Sequence, residues 1–433
     1  MEPLKIVKLA ECSKRERELL LKRSELDVDS VLLRVIKIVS DVRRDGDKAL
    51  LEYTERFDEV KLSADELKVS EGEFRLACRQ LRPATVRAIK GAAEAIKKFH
   101  LKQLPRGWMR QIAPGVRAGQ LVRPLESVGV YVPGGLARYP SSLLMAAVPA
   151  RVAGVERIIV CTPPGKDGKV DAAVLVAARV AGVDAVFKVG GAQAIAAMAY
   201  GTETVPRVDK IVGPGNVYVV AAKQVVAPNV DIDFAAGPTE ILIIADSSAD
   251  PRFIVADLLS QAEHDTDAAA VLVSTSEELA AEARECARLM VKESQRWEVA
   301  LKALTKYGRI VVVRNLGEAV DFANAYAPEH IELMVKRPRQ VLKRIKNAGG
   351  IFVGPYSPVA AGDLAVGPNH ILPTGGAAKR RSGLSVLDFV RLPTVQELSK
   401  QGLGRVAEIA ERLAEVEGLP GHARSIKERL KEG

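Results

Sequence analysis

What the sequence is short of narrows its chemistry first. Its four cysteines, Cys12, Cys78, Cys161 and Cys286, are scattered. With neither a C-x-x-C pair nor the density of a disulfide framework, they point to a reducing compartment and away from thiolate metal sites. Cys161 closes the apolar run "RIIVC" and reads as a buried, inert thiol rather than a nucleophile. Aromatic residues make up only 4% of the chain, and none falls in the densest basic stretch, "KRPRQVLKRIK" at 336–346. The stacking surface that single-stranded nucleic acid needs is therefore missing there, and the stretch reads as a solvated helix face. The formal net charge of +9 then serves solubility or the attraction of anionic cofactors, with no nucleic-acid partner expected. No apolar run approaches the ~20 residues of a membrane-spanning helix. The opening "MEPLKIVKLAECSKRERELLLKRSE" has no apolar leader core, so a cytoplasmic protein with no membrane partner is expected.

What is present is the composition of a soluble globular chain, 48% hydrophobic and 27% charged, and 433 residues imply two to four domains. From about residue 128 short apolar runs alternate with Gly/Pro turns and helix-like stretches. The runs are "SVGVYVPGG", "ERIIVCTPPG", "DAVFKVGG", "DKIVGPGN", "EILIIAD", "AAAVLVSTS", "GRIVVVRN" and "GGIFVGPYSP". This rhythm predicts βαβ units and parallel sheets covered on both faces, better divided between two α/β domains, 128–238 and 239–388, than laid in one. Residues 1–127 read mainly as helices that pack onto one of the sheets, as in "DSVLLRVIKIVSDVRRDGDKALLEYTERFDEV". The tail, 389–433, reads as two or three helices. It is too short and too amphipathic to hold a core, so it should dock on its own body or on a partner subunit.

The five histidines are few enough to take singly. His100, beside lysines in "EAIKKFH", reads as a solvated surface residue. His264, His330, His370 and His422 keep polar company in "SQAEHDTD", "YAPEHIEL", "VGPNHILP" and "LPGHARS". In the first of these, Asp250 can cap a helix that begins at Pro251 and reaches about residue 264. Gln261 and His264 then share a face on which an amide oxygen and an imidazole could reach one ion, and Asp257, one turn earlier, could orient a ligand from behind. Glu263 points elsewhere, and Asp265 and Asp267 lie at or past the helix end. The same spacing equally fits a polar helix terminus with no ligand role. Glu329 and His330 follow a proline at a loop-to-element junction, a placement suited to general acid–base work and also to a plain solvated turn. The Gly- and Pro-rich segment 348–385 is too long and too apolar for an idle loop, and Asp363 and His370 are its polar centres.

Signals for a nucleotide are individually weak. "KIVGPGNVYVVAAKQVV" is a strand, a turn containing Asn216 and a helix, but Tyr218 breaks the G-x-G-x-x-G fingerprint. "VGGAQAIAAMAYG" repeats the strand–Gly–helix pattern with Gln193, and "GVYVPGGLARYPSS" offers Tyr131.

Taken together, "RRDGDKALLEYTERFD", "VGVYVPGG", "VGGAQAIAAMAYGTETVPRVDKIVGPGN", "AAGPTEILIIAD", "DLLSQAEHD", "YAPEHIEL", "AGDLAVGPNHILPTGGAA", "SGLSVLDF" and "EGLPGHARS" make the chain resemble the histidinol dehydrogenase family over nearly its whole length. The resemblance implies a homodimer of two related, incomplete nucleotide-binding (Rossmann-like) α/β domains. It implies zinc-dependent, NAD-linked oxidation of L-histidinol through the aldehyde to L-histidine, with one Zn2+ per subunit. It places the zinc ligands at Gln261, His264, Asp363 and His422, and the catalytic pair at Glu329 and His330. In that reading His330 is the general base and Glu329 activates water for the aldehyde step. Further substrate contacts would be Thr239, His370 and Glu417, and NAD contacts Tyr131, Gln193 and Asn216. Position 239 departs from the serine usual in the family; threonine keeps the hydroxyl with a stiffer χ1. The tail would cross to the partner, so that His422 and Glu417 serve the other subunit. The competing expectations are a related dehydrogenase acting on another amino alcohol, and a non-catalytic α/β protein that binds through 336–346.

Overall fold

The computed structural model describes residues 4–24, 26–134, 139–234 and 237–431. Two parallel sheets organise it. The first runs, in spatial order, Ala185–Lys188, Arg157–Thr162, Ser127–Tyr131, Lys210–Val212 and Asp231–Ile232. The second runs Lys5–Lys8, Arg309–Val312, Ala269–Ser274, Glu240–Ala245, His330–Met334 and Gly350–Val353. Every pairing within these two sheets is parallel. Central strands such as Ser127–Tyr131 and Glu240–Ala245 are buried at every position. Helices cover both faces, which is why these strands read as unbroken apolar runs.

Helices from the first half of the chain complete both layers of the first sheet. On one face Pro83–His100 packs with Pro140–Ala153 and Ala172–Ala181. On the other, Asp29–Asp45 and Asp47–Asp58 join Gly191–Tyr200 and Val217–Val226. The reason is periodic: Val31, Val35, Ile38, Val39 and Val42 form one buried stripe along Asp29–Asp45. The second sheet is covered by Pro251–Ala262, Glu277–Met290 and Trp297–Lys306 on one face. Leu316–Tyr326 and the short Pro338–Leu342 cover the other. The basic stretch 336–346 lies around that short helix, with its lysines and arginines exposed and Val341 buried. This is an α/β fold with two Rossmann-like parallel sheets, a helical N-terminal segment and a helical tail.

Some elements differ from the sequence reading. Lys5–Lys8 is the edge strand of the second sheet, in register with Arg309–Val312. Trp108–Ala113 and Val116–Gln120 form an antiparallel sheet with Thr394–Leu398 from the tail, and Arg123–Pro124 pairs with Val390–Arg391. These strands escape hydrophobic patterning because they are largely open to solvent in this chain. Beyond them, the helices Lys400–Val416 and Pro420–Leu430 form a hairpin packed on itself. Its Ile409, Leu413 and Leu419 are exposed, and Val416 is 85% exposed. Among the described residues no helix is long and apolar enough to cross a membrane.

His100 corrects a reading outright. It is fully buried, with Nδ1 hydrogen-bonded to the Ile96 carbonyl over 2.8 Å, and burial holds its pKa below the usual histidine value. Lys97 and Lys98 face solvent, whereas His100 continues the buried stripe Ile89, Ala93, Ile96. The neighbouring lysines were misleading and the helical period was not.

Candidate active site

The site forms where the strands of the second sheet begin. Thr239 precedes Glu240–Ala245, Glu329 precedes His330–Met334, and His330 is in register with Ile241 on one side and Gly350 on the other. Gly349 must be glycine for this crowding, since a Cβ there would stand 2.6 Å from the Glu329 carbonyl oxygen. The helix Pro251–Ala262 starts at the far end of the sheet, with Asp250 capping the Arg252 N–H and Pro251 in the first turn. It returns so that its C-terminus reaches the site. Free carbonyls at a helix C-terminus carry negative partial charge, which favours a cation there.

That helix ends at Ala262, two residues before His264. His264 lies beyond the Glu263 cap, exposed, in a turn where the Asp265 carboxylate accepts the Asp267 N–H at 2.9 Å. Gln261 is buried and His264 exposed, so the shared helical face expected of them is replaced by a helix end followed by a turn.

A chain of hydrogen bonds fixes the polar groups behind the rim. The Gln261 amide nitrogen donates to the Thr239 hydroxyl. Thr239 in turn donates to Glu329 Oε2 at 2.6 Å, and the Glu240 N–H donates to the same oxygen at 2.8 Å. Two donors thus hold one oxygen of Glu329. His330 Nδ1 lies 3.0 Å from the Glu240 carbonyl oxygen and 3.4 Å from Glu329 Oε2. A carbonyl can only accept, so Nδ1 carries the proton and Nε2 keeps its lone pair in the neutral ring. Among the described residues Nε2 is buried without a hydrogen-bond partner, 3.6 Å from Asp363 Oδ1. Glu329 and His330 are 6% and 2% exposed, which removes the solvated-turn alternative. Burial opposes charge on His330, yet Glu329 foremost and Asp363 next hold its pKa well above the usual histidine value.

The loop carrying Asp363 is tied to both sheets. His370 Nδ1 bonds the Asp363 main-chain oxygen at 2.9 Å, and its Nε2 meets Ser142 Oγ at 3.3 Å on a helix of the first sheet. Asn369 donates to the Met145 carbonyl at 2.6 Å on the same helix. Burial lowers the His370 pKa. On the other side the Gly375 N–H and the Arg23 guanidinium both bond the Glu240 carboxylate, and Arg23 lies 3.7 Å over the Tyr326 ring.

Three groups here carried no sequence signal. Arg23 has no motif around it, Ser142 only closes the stretch quoted for Tyr131, and Glu240 looks like the polar start of a strand. Glu332 is a fourth, a buried acid inside a strand. Burial pushes its pKa up to about 9, helped by the nearby Asp257, whose own is pushed up to about 6 by burial. Asp257 therefore faces Glu332.

At the first sheet the candidate cofactor residues gather at the carboxyl ends of the strands. Tyr131 ends Ser127–Tyr131, Gln193 lies in the first turn after the Gly190–Gly191 bend, and Asn216 follows Lys210–Val212. The central strand Ser127–Tyr131 is where the strand order reverses, the usual crevice for nucleotides in open α/β sheets. The Tyr131 hydroxyl accepts the Gly191 N–H at 3.0 Å, and burial raises its pKa to about 12. Gln193 Oε1 is buried without a donor among the described residues. The Asn216 side chain caps its helix by accepting the Tyr218 and Val219 N–H groups at 3.1 and 3.2 Å. Gly213 bends at φ +116°, where a side chain would strike the Tyr131 backbone. The thiol of Cys161, in the adjacent strand, is buried and its pKa is raised by that burial.

One chain therefore brings together Thr239, Gln261, Glu329, His330, Asp363 and His370. Glu417 and His422 lie exposed on the tail hairpin, away from that network. Among the described residues no group of three or more His, Cys, Asp or Glu side chains is gathered closely enough in this chain to hold a metal ion.

A family model described as histidinol dehydrogenase matches residues 21–430. The histidinol dehydrogenase of Methanothermobacter thermautotrophicus is 51% identical over 427 residues, 99% of this chain and 100% of that protein. That of Clostridium acetobutylicum is 47% identical over 412 residues, 95% of each. The crystal structure of histidinol dehydrogenase from Elizabethkingia anophelis superposes with a TM-score of 0.95 at 36% identity, covering 99% of this chain and 98% of that one. The chain belongs to the histidinol dehydrogenase family, oxidoreductases of histidine biosynthesis.

Proposed function

We propose that the protein carries out the zinc-dependent, NAD-linked oxidation of L-histidinol through L-histidinal to L-histidine, with His330 as general base and Glu329 as the activator of water. The observation that carries this reading is the state of His330. Its Nδ1–H is committed to the Glu240 carbonyl, and its Nε2 is buried without a partner. An imidazole so fixed has one ring nitrogen left to take up and release a proton, and the nearby Glu329 and Asp363 carboxylates favour the protonated ring that a base becomes.

Zinc suits the donors on chemical grounds. With the Gln261 nitrogen given to Thr239, its carbonyl oxygen is the end left for an ion. Asp363 adds the single carboxylate and His264 an imidazole, all near a helix C-terminus. A fourth ligand is needed, and His422 is the candidate. Its hairpin exposes Leu413, Val416 and Leu419, apolar surface that a second copy of the chain would cover. In the homodimer so proposed, His422 and Glu417 of one subunit complete the site of the other, with one Zn2+ per subunit. Bound Zn2+ would orient the nitrogens of L-histidinol, and bound NAD, held near Tyr131, Gln193 and Asn216, would accept hydride twice per substrate.

The chain's own groups then handle protons. His330 Nε2 takes the proton of the substrate hydroxyl in the first oxidation. Glu329, with Oε2 held by Thr239 and the Glu240 N–H, has its other oxygen to draw a proton from water as water adds to the aldehyde. The proton held by His330 passes to the aldehyde oxygen as the hydrate forms, and His330, neutral again, takes a second hydroxyl proton from that hydrate. His370 and Thr239 line the pocket, with Thr239 also fixing Glu329. One substrate, one water and two NAD give one histidine and two NADH.

A dehydrogenase for another amino alcohol would share this proton chemistry. Following NADH with L-histidinol, with and without a chelator, separates the two. Two NADH per histidine supports the proposal, and no turnover by metal-replete protein overturns it.

A further inference from the structure

Glu332 is a carboxylic acid in the middle of the strand His330–Met334, 1% exposed. Its Oε1 accepts the Val359 N–H at 2.9 Å. Among the described residues its Oε2 is buried with no hydrogen-bond donor. What it does face is the carboxyl group of Asp257, itself only 8% exposed. Two buried carboxyl groups that face each other cannot both ionise without strong repulsion, so the pair keeps one proton and one negative charge.

The three segments that meet at Glu332 are those that carry the ligands proposed above. Glu332 is two residues beyond His330 on one strand and so on the same face. Asp257 is one helical turn before Gln261. Val359 opens the short turn that leads into Asp363. The charged or titratable groups facing Glu332 are Asp257 from the helix and His330 from its own strand. None of the proton chemistry proposed for His330 and Glu329 uses the pair.

We propose that Glu332, by sharing a proton with Asp257 and accepting the Val359 N–H, is a positioning residue that sets the spacing of Gln261, His264 and Asp363 for the metal. The inference rests on the zinc reading above. Glutamine at 332 reproduces the arrangement: its NH2 donates to the Asp257 carboxylate, its oxygen accepts from Val359, and the net charge of the pair is unchanged. Alanine leaves Asp257 buried and unpaired and frees the Val359 turn.

The test is release of zinc from the metal-loaded full-length protein to a chromophoric chelator, alongside kcat and KM for L-histidinol and thermal melts of the metal-free proteins. Glu332→Gln should hold zinc within a fewfold of wild type, while Glu332→Ala releases it roughly 10–100-fold faster, the range typical of lost ligand support. The loss should fall more on KM than on kcat. Asp257→Asn, which can donate its amide to an ionised Glu332, should also retain zinc and keeps the test open if Glu332→Ala does not fold. Zinc held by Glu332→Ala as tightly as by wild type, or lost from either amide variant, would overturn the inference. A wild-type protein that binds no zinc would overturn the zinc reading and this inference with it.

Discussion

Thr239 donates its hydroxyl to Glu329 Oε2 at 2.6 Å while accepting the Gln261 amide, and so joins the proposed water activator to the proposed metal ligand. A single hydroxyl thus sets the orientation of two side chains from different elements. Replacing Thr239 with valine, nearly the same shape, leaves both partners short of a bond. The expected outcome is a loss of about 1–3 kcal/mol of stability and a lower kcat, with serine restoring both. Thermal melts and steady-state kinetics on the Val and Ser variants check this, and a fully active Val variant would show the link to be dispensable.

Glu329 and His330 should separate by step. Glu329→Gln is expected to slow NADH formation from L-histidinal more than from L-histidinol, because water is added only to the aldehyde. His330→Gln should slow both steps by roughly 10²–10⁴-fold, the usual worth of a positioned base. Single-turnover NADH traces with each substrate distinguish the two, and equal damage to both steps by Glu329→Gln would count against a separate water activator.

The buried acid at 332 also makes a prediction about stability and pH. Burial raises its pKa in the fold to about 9, while an unfolded glutamic acid titrates near 4.3. Between these values the folded chain binds the extra proton. The contribution is therefore complete below the unfolded pKa and disappears as pH rises through the folded one. Wild type should lose thermal stability relative to Glu332→Gln as pH increases from about 5 to 9. Parallel pH–stability curves for the two proteins would contradict it.

His100 works in the opposite sense. Its buried ring has a pKa held below 6.5 by burial, so folding favours the neutral form. That contribution is present above the unfolded pKa and is lost as pH falls below it. His100→Gln, which cannot gain a charge, should lessen the drop in melting temperature between about pH 7 and 5. An unchanged acid limb would mean that other groups control it.

The tail offers a cleaner cut than its helical pattern alone suggests. Thr394–Leu398 belongs to a sheet of the chain's own body, so a truncation after Ser399 removes the helical hairpin and leaves that sheet intact. Sedimentation should show a monomer, and NADH formation should vanish for want of Glu417 and His422. An active truncated monomer would rule out shared sites.

The strands that could be read from the sequence are those covered on both faces, such as "EILIIAD" and "AAAVLVS", because complete burial demands continuous apolar residues. His330–Met334 escaped notice because Glu332 interrupts its apolar pattern, although it carries the candidate base. Lys5–Lys8 and Trp108–Ala113 were invisible for another reason: edge and open strands impose little hydrophobic alternation. At the site, side-chain chemistry singled out Glu329, His330, Asp363 and His370, and spacing drew attention to Gln261. No one-dimensional pattern could supply the tautomer of His330 or the Thr239 link, since both depend on groups about ninety residues away in sequence.

The loop that binds Met145 and Ser142 at one end and Glu240 at the other has a consequence for how such a protein could be taken apart. Dehydrogenases are often pictured as a portable cofactor module joined to an exchangeable substrate module. Here the strand Lys5–Lys8 lies in the second sheet, the helices Asp29–Asp45 and Asp47–Asp58 lie on the first, and the Asp363–Gly375 loop fastens the two together. A fragment carrying either sheet alone would lack an edge or an anchor supplied by the other. Recombination with another dehydrogenase would have to exchange both sheets together, so the two halves form one heritable unit.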